Sequence, residues 1–150
     1  MQELITAAKD WDSKGIVQFA KSGGVSKEDL STALGYSSAF TTSTICDELP
    51  HLCNPVLVLL SACEQSNYFV ANEIIDKVPA ANIPWDSCMN ILLVKSHPSH
   101  YASWIAELLL EQGAILSQEV ADKLIGSKLI ERPYTIMKIP DGSVKFLMQN

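Results

Sequence analysis

The chain has 150 residues, 47% hydrophobic and 19% charged, with a net charge of −6. That composition excludes a disordered chain and suits one folded domain with its own core. The acidic balance and the singly scattered Lys and Arg residues disfavour nucleic-acid phosphates and anionic membranes as partners.

The N-terminal stretch MQELITAAKDWDSKG carries no basic region followed by an apolar run, so no secretory leader is expected. The first helix pattern spans Glu3 to Lys9 and the second Lys14 to Lys21, with Asp10-Trp11-Asp12 as the turn between them. Gly23-Gly24 supplies a helix stop, and Ser26 with Asp29 three residues on supplies a start signal. Helices are predicted at about 27–34, 39–49, 55–65, 68–78, 86–96, 99–112 and 117–130. None is long enough to persist alone in water, so each must gain its stability from packing. The most apolar run, Pro55 to Cys63, is far shorter than the roughly 20 residues that cross a bilayer. A soluble, cytoplasmic protein is expected.

The tail changes character. Tyr134–Ile139 and Ser143–Met148 are rich in β-formers and flank Pro140-Asp141-Gly142, which predicts a hairpin with a left-handed Gly142. A lone hairpin is marginal, so it should rest on the last helices or pair with another strand.

A weak internal repeat is present. At an offset of 34 residues, Leu57-Val58-Leu59-Leu60 falls on Ile91-Leu92-Leu93-Val94, and Glu73-Ile74-Ile75 falls on Glu107-Leu108-Leu109. The stretch WIAELLLEQGAIL, Trp104 to Leu116, is then an apolar helix ending on Gly113 whose leucines need a neighbouring copy to cover them. Leu108 and Leu109 are expected on the preceding pair, around Ile74 and Ile75, with Trp104 in the core.

The opening Leu4–Ser26 resembles the first unit of an ankyrin-repeat protein. Ala7-Ala8-Lys9 matches the small-residue end of an inner helix, Ile16-Val17 and Phe19 the outer helix, and Gly23-Gly24 its stop. The resemblance covers roughly residues 3–116. The family's Thr-Pro-Leu-His signature is missing, Asn54-Pro55-Val56-Leu57 being its nearest echo, and the spacing is uneven: 34 residues from Leu57 to Ile91 but 27 from Leu30 to Leu57. The resemblance implies an all-α α-solenoid of about four antiparallel helix pairs with a short C-terminal hairpin, in a single domain over 1–150. It also implies protein–protein recognition on a concave face. By the family's layout the partner-binding candidates are Asn82, Trp85 and Asp86 on the finger loop, and Ser61, Glu64, Lys95 and His97 near inner-helix ends.

Evidence for chemistry is thin. Cys46, His51 and Cys53 cluster, but lack the usual zinc spacing. His97 and His100 read as turn residues around Pro98. No phosphate-binding glycine loop exists. The expectation is a non-enzyme with no metal or cofactor and four reduced thiols at Cys46, Cys53, Cys63 and Cys88. Two other readings stay open. One is an immunity-type or inhibitor protein that plugs a toxin or enzyme, its acidity complementing a basic site. The other is an enzyme using a Cys/His pair, which requires a thiol of depressed pKa.

Overall fold

The computed structural model describes residues 2–10, 13–94 and 100–149. Most of the chain is helical, and a small antiparallel sheet closes the C-terminal end. Helices α1 (Gln2–Lys9), α2 (Ser13–Lys21), α3 (Lys27–Leu34), α4 (Ala39–Glu48), α5 (Pro55–Glu64), α6 (Tyr68–Ile75), α7 (Trp85–Val94), α8 (His100–Glu111) and α9 (Gln118–Ile125) follow one another. Short 3-10 turns at Pro50–Leu52 and Ala80–Asn82 precede α5 and α7. Among the described residues, no helix is long and apolar enough to cross a membrane.

Local chemistry sets the boundaries. Ser26, Ser38, Asn54, Asn67 and Ser117 each accept a backbone N–H from the first turn of the helix they open. Gly23 stands at φ 76° after α2, the left-handed stop expected there. The predicted final helix is too long. α9 ends at Ile125, because Gly126 closes its last turn and the Ser127 hydroxyl bonds back to the Leu124 carbonyl.

The odd-numbered helices pack in succession, α1 on α3, α3 on α5, α5 on α7 and α7 on α9. The even ones do likewise, α2 on α4, α4 on α6 and α6 on α8. Leu108 and Leu109 are buried, as are Ile74 and Ile75, and α8 packs on α6. Leu30, Leu34, Val58, Leu59, Met89, Leu92 and Ile105 continue the same core.

Adjacent helices approach closely at α3 and α5. A Cβ on Gly35 would lie 2.0 Å from the Ser61 hydroxyl oxygen and 2.7 Å from that residue's backbone carbon. Ser61 donates to the Thr32 carbonyl at 2.6 Å, and the Asn54 N–H donates to the Ser31 hydroxyl at 2.9 Å. The higher-numbered end of α3 therefore meets the higher-numbered end of α5, so the two run parallel.

Strands β1 (Ile115–Leu116), β2 (Tyr134–Lys138) and β3 (Val144–Met148) form a sheet in the order β1-β3-β2. The hairpin register pairs Ile136 with Phe146, and Gly142 stands at φ 95° in its turn as predicted. β3 packs on α8, with Val144 and Phe146 buried, and pairs with β1 on its other side. β1 is too short to show a period-two pattern, so only its position just after Gly113 marks it.

Candidate functional site

The loops at one end of the helices differ from the turns at the other. At the loop end, Leu49 ends α4 and the 3-10 turn folds the chain back. That brings Cys53 onto Cys46 as a disulfide pair with Cα atoms 5.5 Å apart. That proximity does not support the expectation of four reduced thiols. Cys63 and Cys88 lie outside that pair, and both are buried. The Cys63 thiol is pushed well above its usual pKa by its hydrogen bond with Cys88 and then by burial, the opposite of an activated nucleophile.

The finger candidates lie at this loop end. Asn82 is exposed, but Trp85 is half-buried against the core. The Asp86 carboxylate accepts the Ser117 N–H at 2.9 Å, tying the start of α7 to the start of α9. Ser61, a predicted contact, is 6% exposed and its hydroxyl is committed to Thr32. It joins two helices rather than facing outward, a correction to its expected place. Glu64 is exposed at the end of α5. Lys95 and His97 lie outside the described residues, as do Trp11 and Pro98. Among the described residues, Glu64 does not converge with the finger candidates. α6 runs back about 12 Å between Glu64 and the loop that carries Asn82, Trp85 and Asp86.

At the turn end the structure places a cluster that the repeat pattern did not reveal. Asn67 bridges adjacent turns: its side-chain amide donates to the carbonyls of Gly35 and Ser37 at 3.0 and 2.8 Å, while its carbonyl oxygen caps α6. Ser66, at φ 52°, takes the left-handed position a glycine usually fills. The Ser66 and Asn67 N–H groups bond back to the carbonyls of Cys63 and Ala62. This frame fixes the start of α6 against the start of α4.

On that frame stand four aromatic rings in a closed circuit. Ring centroids are 5.7 Å apart for Tyr68–Phe69 and 5.8 Å for Phe69–Tyr101. Tyr101–Trp104 measures 5.3 Å and Trp104–Tyr68 5.5 Å, three of the four pairs meeting edge to face. Phe69 remains 53% exposed, Tyr101 45% and Trp104 46%. The expectation of a core Trp104 is therefore corrected. The buried residues of α8 are Ala102, Ile105, Ala106, Leu108, Leu109 and Leu110, and Trp104 is not among them. Phe40, 74% exposed, holds the second position of α4, as Phe69 does in α6 and Tyr101 in α8. A shallow depression floored by Ser37, Gln65, Ser66 and Asn67 lies beside the rings, with Tyr36 on its far side.

The signal that could have found this cluster is phase. In α6 the core positions are Val70, Ala71, Ile74 and Ile75, so Phe69 is an aromatic on the wrong side. Among the described residues no group of Cys, His, Asp or Glu is arranged to hold a metal ion. No protein family matches the chain, and no curated protein or solved structure does either.

Proposed function

We propose that this chain is a protein-recognition module, a solenoid of helix pairs similar to a degenerate ankyrin array, and that it grips its partner at the turn end. One observation carries the reading: Phe69, Tyr101 and Trp104 are large, exposed and gathered with Tyr68 in one ring circuit, and exposed Phe40 holds the same second position in α4 that Phe69 holds in α6 and Tyr101 in α8. Large rings in water lose the stabilisation that burial gives them, and aromatic residues of this kind dominate binding energy where proteins meet. The succession of odd on odd and even on even helices supports the solenoid. A Cys-dependent enzyme fits poorly, because burial and the Cys88 contact hold Cys63 as a thiol.

The test is affinity capture from the source cell, using the wild type, Phe69→Ala/Tyr101→Ala and Trp85→Ala/Asp86→Ala in parallel. The reading expects a partner held by the wild type and the loop-end variant and lost by the aromatic double variant. A partner lost only by the loop-end variant moves the site to the finger. A chain that holds nothing in any form overturns the module reading.

A further inference from the structure

The C-terminal sheet ends on an unguarded edge. β2 pairs with β3 on one side, and among the described residues no strand pairs with its other side. The Ile139 N–H donates to the Ser143 carbonyl and the Gln149 N–H to the Pro133 carbonyl. With the register Met137↔Lys145 and Thr135↔Leu147, the residues bonded to β3 are therefore 133, 135, 137 and 139. Tyr134, Ile136 and Lys138 turn both N–H and C=O outward. Edge strands are ordinarily blunted by central charges, prolines or bulges. Here Pro133 and Pro140 stand only at the two ends, Lys138 is the one charge, and Ile136 and Met137 are 41% and 42% exposed.

We propose that this edge pairs with the same edge of a second copy, antiparallel about Ile136, joining the two sheets into one. The strand is complementary to itself in that register. Ile136 faces Ile136, and Tyr134 faces Lys138 at both ends, so every outward N–H and C=O between the two prolines meets a partner. The charges agree. Each lysine lies opposite a tyrosine, which favours a cation–π contact. The two Lys138 residues stand about 14 Å apart along the paired strands, beyond the screening length of about 8 Å at physiological salt. A shift of two residues would set a Pro140 against a strand position and lose bonds. On the opposite face, Met137 covers Thr135 of the other copy. The paired strand, Tyr134 to Lys138, contains none of the residues of the aromatic cluster.

The experiment is sedimentation of the wild-type chain at moderate salt up to the millimolar range, with amide exchange read residue by residue. The expected result is a concentration-dependent dimer. The amides of Tyr134, Ile136 and Lys138 gain protection as it forms, while those of Thr135 and Met137 are protected throughout. Ile136→Lys, which sets two ammonium groups face to face on the two-fold axis, should weaken association by on the order of tenfold or more. Ile136→Pro removes only an outward N–H and should do the same without loss of fold. Leu147→Lys, exposed on β3 away from the edge, should leave the dimer intact. Circular dichroism and melting confirm that each variant is folded. A wild type that stays monomeric overturns the proposal and leaves the edge to a foreign strand. A dimer that survives both Ile136 variants, or that protects no outward amide, also overturns it.

Discussion

The two ends of the helices solve different problems with the same kind of chain. At the loop end, apolar side chains are covered and polar groups are committed: Val78 and Ile83 are buried, Asp86 holds Ser117, and Cys53 lies at disulfide distance from Cys46. At the turn end the backbone is just as tightly held, by Gly35 on Ser61 and Asn67 across two turns, yet the side chains above it are bare aromatic rings. A rigid frame beneath exposed rings keeps the ordering cost of binding low. A finger whose tryptophan and aspartate already serve the fold has less to offer a partner.

Substitutions can break this contrast. The largest effect is expected at Gly35. Its Cβ would meet Ser61 side chain and backbone together, so Gly35→Ala should cost about 3 kcal/mol, read from urea unfolding. Cost near zero would mean the turn end is not tightly framed. Asn67→Ala removes a helix cap and two carbonyl partners and should cost about 2 kcal/mol. Cys46→Ser opens a short loop and should cost about 2 kcal/mol in the absence of reductant and nothing in its presence. Equal stability in both conditions would mean the loop-end disulfide does not form.

The aromatic double variant should behave in the opposite way, changing thermal stability by less than about 1 kcal/mol while removing binding. Smallest of all is a pH effect beneath the turn end. The native Cys63 pKa is raised, so as pH climbs past the ordinary thiol value of about 8.5 the unfolded chain loses its proton first. The associated stability is fully present below that value and declines above it. The melting temperature of the wild type should therefore fall slightly more than that of Cys63→Ala on the alkaline side, and native alkylation of Cys63 should be slow.

Most of the helical layout is legible in the sequence, because capping residues and apolar phase act locally. Ser26 marks the start of α3 through Asp29 three residues on, and the α6–α8 packing agrees with the matching apolar stripes around Ile74 and Leu108. The hairpin was legible for the same reason, through Pro140-Asp141-Gly142. What escaped depends on contacts distant in sequence. Ser61 looks like a surface hydroxyl until Gly35 lets α3 approach it. Asp86 looks like a finger carboxylate until α9 brings Ser117 to it. Trp104 looks like core because tryptophan usually is, and only the position of α6 shows that Tyr68 and Phe69 gather it into an exposed cluster. The sequence named Glu64, one residue before the turn-end depression, but could not separate it from the finger residues at the opposite end of α6.

The most direct test of the turn-end claim is site-specific photocrosslinking in the source cell. A photoreactive phenylalanine replaces Phe69 in one protein and Asn82 in another, both exposed and at opposite ends of the helices. The account predicts a discrete crosslinked partner from position 69 and none from position 82. A partner captured from position 82 alone would contradict it.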